Sequence, residues 1–253
     1  MKLQELLDEL RNNVLRDRSG LLAGDTDQLW SDTTLVSYIN DAYRRFVRQT
    51  LLIREQTTPA VTQVQLATGV FIYQLHPSVL SVLSARYNLD PGDLPRAGHG
   101  LLDTRVVGDP LYFDAATLGT LAPGAPKVFS TDEALDPAGP QAQINLRVYP
   151  VPSSNEDGKI IYLRVARLPI DALTVDNLDA QLEIPEDYHL DVLDWAAYRA
   201  LSTHDVDGGD GPKANEHRDR FEKTIQDVKT ETRRKLFSPQ GFAFGGGALS
   251  YER

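Results

Sequence analysis

The chain has 253 residues, a formal net charge of −10 at pH 7 and no cysteine. Without cysteine it forms neither disulfides nor thiolate metal sites, and it has no cysteine nucleophile. Affinity for phosphate comes mainly from lysine and arginine, so this acidic balance excludes a protein whose whole surface binds nucleic acid. No apolar run reaches the roughly 18 residues of a transmembrane helix, and the charged start MKLQELLDELRNN is unlike a signal peptide. We therefore expect a protein made in a cytoplasm.

Two helices are predicted near the start of the chain. From Lys2 to about Arg16, leucines recur at intervals of three and four residues, which lays one apolar stripe along a short helix. A second helix is predicted over residues 31–53, where Ser31 caps the first amides and Asp32 complements the helix dipole. Its apolar face comprises Leu35, Tyr38, Ile39, Ala42, Phe46 and Ile53, and its opposite face carries Arg44, Arg45 and Arg48.

The middle of the chain, from about residue 57 to 170, has the two-residue period of β-strands. Apolar and polar residues alternate in VTQVQLATGVFIYQL, SVLSVLSARY, PLYFDA, INLRVYPVP and KIIYLRVARLP, and turn-forming stretches separate these segments. We predict an all-β region of about five to seven strands, arranged as a sandwich or a small barrel. Residues 90–110 and 119–142 are rich in glycine and proline and are predicted to be long loops.

Helical patterns return near Pro185, where Glu186 and Asp187 complement the dipole of a third helix. Its predicted apolar face is Leu190, Leu193, Ala197, Ala200 and Leu201. A fourth helix is predicted from about Pro212 to Leu236, with one narrow stripe. That stripe is Ala214, Phe221, Ile225, Val228, Thr232 and Leu236. The basic run KTETRRK at 229–235 either stabilises the helix end or docks on an acidic partner.

These patterns predict an α+β fold. A four-helix bundle-like core is formed by both ends of the chain, an all-β domain is inserted between them, and an extended C-terminal tail follows. The expected bounds are 1–56 for the first helices, 57–172 for the β domain, 173–238 for the last helices and 239–253 for the tail.

The aromatic residues suggest packing and docking roles. Trp195 and Tyr198 lie off the leucine stripe of the third helix and widen its apolar arc. The residues expected to serve helical packing or an oligomer contact are Trp30, Tyr38, Phe46, Trp195 and Tyr198, with packing favoured. The final stretch, LFSPQGFAFGGGALSYER, has too little apolar content to form a core and too many aromatics for an inert tail, so we expect it to dock on another molecule.

Few residues in this sequence suggest chemistry. Glu186 and His189 are three residues apart, which allows a metal or acid–base pair, but any solvated helix produces the same spacing. The acids of Asp205–Glu216 match three positions of a calcium loop, whereas Gly209 and Asp210 break the pattern. No phosphate-binding loop and no serine elbow are present. We therefore predict no catalytic residue, no metal ligand and no cofactor site.

The sequence also resembles a known family. The phrases WSD at 30–32, LVSYINDAYRRFVRQTLLI, GVFIYQLHPSVLSVLSARY, YPVP and LEIPEDYHLDVLDWAAYRALSTHD are similar to those of the adaptor, or head-to-tail connector, proteins of tailed bacteriophages. The similarity spans most of the chain and is strongest in the helices that flank the β region. Its motifs are packing and boundary signatures.

The resemblance implies a structural, non-enzymatic virion protein at the head–tail junction, assembled in the host cytoplasm. Twelve copies would form a ring beneath the portal protein, tail or nozzle proteins would bind the other end, and double-stranded DNA would pass through the channel without sequence-specific binding. No membrane is involved. The residues implied to dock on the portal are Phe237, Phe242, Phe244, Leu249 and Tyr251.

Two alternatives from other classes stay open at this point. One is a metal-dependent hydrolytic enzyme that uses His189, Glu186 and the acidic loop at 205–210. The other is a tail-associated module that binds a receptor or a carbohydrate through its β domain.

Overall fold

The computed structural model describes residues 1–17, 28–87, 99–103, 122–135, 142–203 and 211–236. Its helices are α1 (Leu3–Glu9), continued by a π-helical segment (Leu10–Leu15), α2 (Asp32–Thr50), α3 (Pro59–Thr62), α4 (His189–Leu201) and α5 (Gly211–Leu236). Its strands are β1 (Arg54–Glu55), β2 (Gln63–Gln65), β3 (Ile72–Gln74), β4 (Val79–Tyr87), β5 (His99–Gly100), β6 (Leu102–Asp103), β7 (Val128–Leu135), β8 (Ala142–Tyr149) and β9 (Ile160–Arg167). The mixture of helix and antiparallel sheet agrees with the α+β prediction.

Helix α2 forms where its capping residues predicted it. The Ser31 hydroxyl accepts a hydrogen bond from the Thr34 amide at 3.2 Å, which satisfies one of the free amides at the helix start. Arg44 and Arg48 are exposed as expected. Arg45 differs from that expectation, because it is half-buried against α4 and α5 instead of pointing into solvent.

The helices share one hydrophobic cluster, here called the helical cluster. It joins α1, the π-helical segment, α2, α4 and α5 with parts of the segment that precedes α4. Helix α5 contributes one buried stripe to this cluster. This agrees with the prediction of a single narrow apolar stripe on an otherwise charged helix. The buried members from α5 are Ala214, Phe221, Ile225 and Val228.

The start of α4 corrects the prediction. A 3-10 turn, Glu186–Tyr188, comes first, and the α-helix begins at His189 instead of Pro185. Leu190 was assigned to the buried face, yet it is 51% exposed, and Val192 is fully buried in its place. Helix α4 packs against α2, α5 and the π-helical segment, so His189, Val192 and Ala196 are buried as well, whereas Leu190 lies in the first turn of the helix.

The strands form two open sheets. One has the order β1-β9-β4-β5, with β2 also paired to β9, and the other has the order β3-β8-β7-β6. All pairs are antiparallel except β6 with β7. Neither sheet closes on itself within the described strands, so the small-barrel alternative does not hold there. The sheets share a second cluster, the sheet cluster, whose buried members include Val82, Tyr87, Phe129, Leu146, Ile161 and Leu163.

Strand β7 lies inside residues 119–142, which the sequence predicted to be a loop. Its sequence, VFSTDEAL, carries polar residues at most interior positions, which hides the alternation. Pairing with β8 over the whole of its length holds it in the sheet. The predicted strand PLYFDA, at 110–115, lies outside the described residues.

Candidate functional site

Several residues singled out from the sequence lie outside the described part of the chain. These are the expected portal-docking residues Phe237, Phe242, Phe244, Leu249 and Tyr251, and the acidic loop at 205–210. Their roles therefore stay predictions. The remaining candidates lie on α2, α4 and α5 and on the segments that lead from the sheets into α4.

Glu186 and His189 do come close together, but both contact the start of the chain. The Met1 amino group lies 2.8 Å from Glu186 Oε1 and 3.1 Å from His189 Nδ1. His189 Nε2 lies 2.9 Å from the Ile184 carbonyl oxygen, which accepts hydrogen bonds only. Nε2 therefore carries the proton and Nδ1 accepts from the amino group. Both nitrogens of this buried ring therefore take part in hydrogen bonds within the chain.

The described residues contain no cluster of three or more histidine or acidic side chains with the geometry of a metal site. Within those same ranges, no helix is both long enough and apolar enough to cross a membrane.

Trp195 is the centre of a polar network that joins α2, α4 and α5. Its indole Nε1 donates to Asp41 Oδ2 at 2.9 Å, and Arg199 Nη1 donates to the same oxygen at 2.7 Å. The guanidinium carbon of Arg45 lies 3.9 Å from the Trp195 ring centroid, within cation–π range. Arg45 also pairs with Glu222 at 2.7 Å. The network thus fixes three helices relative to one another.

The other aromatic candidates lie in or against the helical cluster. Trp30 and Phe46 are buried, and Tyr38 and Tyr198 are half-buried against the helical cluster. The Trp195 ring lies 4.9 Å from Tyr198 and 5.4 Å from Phe221, measured between centroids. Within one chain these side chains pack between helices, while Tyr38 and Tyr198 keep part of their surface in solvent.

His217 was missed in the sequence. It is 5% exposed, and its Nδ1 lies 2.6 Å from Asp194 Oδ1. The signal was its position on α5, three residues after Ala214 and four before Phe221, which places it on the buried stripe. Its partner lies on another helix, so only the structure reveals the pair.

Arg167 at the end of β9 joins the sheets to the helices. Its Nη2 lies 3.0 Å from Glu55 Oε2 and 2.6 Å from Glu183 Oε2, and the side chain is almost fully buried. The Glu183 amide donates to the Tyr43 hydroxyl of α2 at 2.7 Å. We call Arg167, Glu55, Glu183 and Tyr43 the junction cluster. An open cleft runs beside this cluster.

The junction cluster shifts the pKa of several of its members, Glu55 and Tyr43 among them. Hydrogen bonds, first from the Thr57 hydroxyl and then from backbone amides and Arg167, outweigh burial and lower the pKa of Glu55 to about 2. Burial raises the pKa of the Tyr43 hydroxyl. Glu55 therefore stays a carboxylate paired with a cation near neutral pH, where it is a weak proton acceptor.

Comparison with known proteins identifies a family that matches most of the chain. The profile of the SU10 adaptor protein family matches residues 1–241, which include both helical ends and the sheets between them. A search of the curated proteins found no match. The family is structural, which fits a chain whose buried polar residues bind one another. The chain belongs to the SU10 adaptor family of bacteriophage head–tail adaptor proteins.

Proposed function

We propose that the chain is a subunit of the phage neck. Twelve copies form a ring beneath the portal, join the DNA-filled head to the tail, and surround the channel through which the DNA passes. The match to the adaptor family over residues 1–241 carries this proposal. The subunit is assembled in the host cytoplasm, resides at the head–tail junction of the virion, and has a structural role without enzymatic activity.

In this proposal the chain works as four parts. Residues 1–56 and 173–238 form the helical core, residues 57–172 form the inserted β domain, and residues 239–253 form the tail. The two hydrophobic clusters support this division, because the helical cluster draws on residues 3–53 and 173–228 and the sheet cluster on residues 61–165. The β domain binds tail or nozzle proteins.

The portal contact is assigned to the tail. Phe237, Phe242, Phe244, Leu249 and Tyr251 are separated by glycine and small residues, so each can enter a separate pocket of a partner. Large aromatic side chains dominate the binding energy of most protein interfaces.

The net charge of −10 supports passage of DNA without retention. Tight binding to a duplex requires many lysine or arginine contacts to phosphate. An acidic ring lacks that excess of cations.

The experiment is portal binding by the purified full-length chain and by a variant in which Phe242, Phe244 and Tyr251 are changed to alanine. The matched control changes Ser238, Gln240 and Ser250 to alanine in the same tail. We expect the aromatic variant to bind the portal at least tenfold more weakly, about 1.4 kcal/mol or more, and the control to bind like the wild type. Electron microscopy of the wild-type complex should show a ring on the portal. Equal binding by both variants would refute the tail assignment, and portal particles without added density would refute the function.

A further inference from the structure

The five-stranded sheet has one side that faces away from the sheet cluster. Along β9, Ile161, Leu163 and Val165 are buried in that cluster, so Tyr162 and Arg164 lie on the opposite side. Residues directly across an antiparallel pair share a side. Arg54 pairs with Ala166, Gln63 and Arg86 pair with Tyr162, and Ser84 pairs with Arg164. The outer sheet face is therefore Arg54, Gln63, Ser84, Arg86, Tyr162 and Arg164.

This face is basic in an acidic protein. Glu55 is the one carboxylate among the described strand residues of this sheet. It pairs with Val165 in the register and binds Arg167, so it lies on the other side. The described strands thus bring arginine, and no acid, to the outer sheet face.

Arg54 and Arg164 repel each other there. Neither forms an ion pair with any carboxylate in the described residues. Burial lowers the pKa of Arg54, and the nearby charge of Arg164 lowers it further. Two adjacent cations without a counter-charge are stabilised when a carboxylate or another anion binds between them.

The same chain has an acidic surface elsewhere, around the start of α1. The backbone of α1 binds the segment before α4, since the Leu3 amide donates to Ala180 at 2.8 Å and the Gln4 amide to Leu178 at 3.1 Å. This contact brings exposed acids from both segments together. The acidic surface is Glu5, Asp8, Asp176, Asp179 and Asp187. Lys2 pairs with Asp179 at 2.7 Å, while Asp8, Asp176 and Asp187 form no ion pair within the described ranges.

We propose that the outer sheet face of one copy binds the acidic surface of the next copy. The inference rests on the proposed ring and names its subunit contact. Because two different surfaces meet, the contact is head-to-tail, and repeated contacts of this kind close into a ring when the rotation between copies allows it. Arg54 and Arg164 supply charge-assisted hydrogen bonds to carboxylates, and Tyr162 supplies aromatic surface between them.

A second copy fits this face better than DNA does. Salt-sensitive binding to a duplex rests on about six to ten phosphate contacts. This face offers two arginines that form no ion pair with the described residues, in a chain of net charge −10. Tyrosine and arginine are also the residue types that carry most of the energy at protein interfaces. The acidic surface supplies the matching charge within the same sequence.

The test is self-association of the full-length chain at low salt, measured by sedimentation velocity. The variant Arg54→Glu/Arg164→Glu reverses the outer sheet face, and Asp8→Lys/Asp176→Lys reverses the acidic surface. The control Arg44→Glu/Arg48→Glu reverses two exposed arginines of α2 and changes the net charge by the same amount as Arg54→Glu/Arg164→Glu. We expect each surface variant to associate at least about tenfold more weakly than the wild type and the control to change much less. A mixture of the two surface variants should associate again, because each then meets an opposite charge. Circular dichroism checks that every variant is folded.

Three results would overturn the inference. They are a wild-type chain that stays monomeric at all concentrations, an equal loss in the α2 control, and a mixture that fails to associate. Loss of duplex binding by Arg54→Glu/Arg164→Glu with unchanged self-association would assign the face to DNA instead. Portal binding, measured separately, tests the proposed function. A wild-type chain that binds the portal without self-association would overturn the subunit contact alone, and the reverse result would overturn the portal role alone.

Discussion

The helical cluster and the five-stranded sheet use arginine in opposite ways. In the helices, Arg11 binds Asp17 at 2.8 Å and Asp32 at 2.6 Å, and Arg45 binds Glu222 across two helices. In the sheet, Arg54 and Arg164 find no carboxylate among the described residues. Arg11 and Arg45 are thus neutralised within the chain, while Arg54 and Arg164 have no counter-charge among the described residues. The ion pairs of Arg11 and Arg45 contribute to the fold, and in the proposed subunit contact Arg54 and Arg164 bind the acidic surface of the next copy.

Arg167 is the exception within the sheet, and its position explains why. It lies on the same strand as Arg164, three residues further on and on the opposite side, where the helices cover it. Burial there requires a partner for the charge, and Glu55 and Glu183 supply two. Strand β9 thus carries one exposed arginine, Arg164, and one buried arginine with two carboxylate partners, Arg167.

The largest expected effect tests whether apolar contact outweighs charge pairing in the helices. Phe221 is fully buried, and its ring lies 6.1 Å from Phe46 and 5.4 Å from Trp195. Changing it to alanine leaves a cavity among three helices, so we expect the free energy of unfolding to fall by about 3 to 5 kcal/mol. Urea denaturation measures this, and Leu190→Ala, at the exposed position on α4, should change it by less than about 0.5 kcal/mol. A Phe221 effect no larger than the Leu190 effect would contradict the central place of α5.

The next effect compares the two arginines of β9. Arg167→Met leaves two carboxylates without their cation, one of them partly open to water, so we expect a loss of about 2 to 4 kcal/mol in the free energy of unfolding. Arg164→Met removes an exposed cation that repels Arg54, and we expect a change within about 0.5 kcal/mol. Similar losses in both variants, measured by urea denaturation, would show that the two arginines do not differ in role.

The sequence predicted the features that depend on neighbours along the chain. Helix α2 and its Ser31 cap were correct because the cap, the dipole charge and the apolar stripe are all local. The stripe of α5 was correct from Ala214 to Thr232 for the same reason. The resemblance to phage adaptors was confirmed by the family match.

The sequence did not predict features that depend on distant partners. Strand β7 exists because β8 pairs with it, and its own residues are mostly polar. Leu190 was misplaced because the buried face of α4 depends on the helices that pack against it, which are distant in the sequence. The junction cluster joins residues that are distant in the sequence, since more than a hundred residues separate Glu55 from Glu183. No spacing rule relates them. His217 and Asp194 pair across two helices in the same way.

A smaller effect concerns pH at the junction cluster. The pKa of Glu55 is about 2 in the folded chain and about 4.3 for an unperturbed glutamate. Because the folded value is lower, the stability that ionised Glu55 contributes is full above about pH 5 and is lost as the pH falls toward 2. We therefore expect wild type to be more stable than Glu55→Gln at pH 7, with the difference shrinking through that window in urea denaturation at each pH. A difference that stays constant from pH 7 to pH 3 would contradict the assigned ion pair.

The smallest effect returns to the arginines of the helices. Arg45 is half-buried between the Trp195 ring and Glu222, whereas Arg44, its neighbour in sequence, is exposed. Arg45→Met keeps the aliphatic packing but removes an ion pair and a cation–π contact that are both partly solvated, so we expect a loss of about 1 kcal/mol. Arg44→Met should change the free energy of unfolding by less than half of that. High salt should reduce the Arg45 effect, because screening weakens the ion pair in the wild type. If Arg44→Met cost as much as Arg45→Met, neutralisation within the chain would no longer distinguish the helices from the sheet.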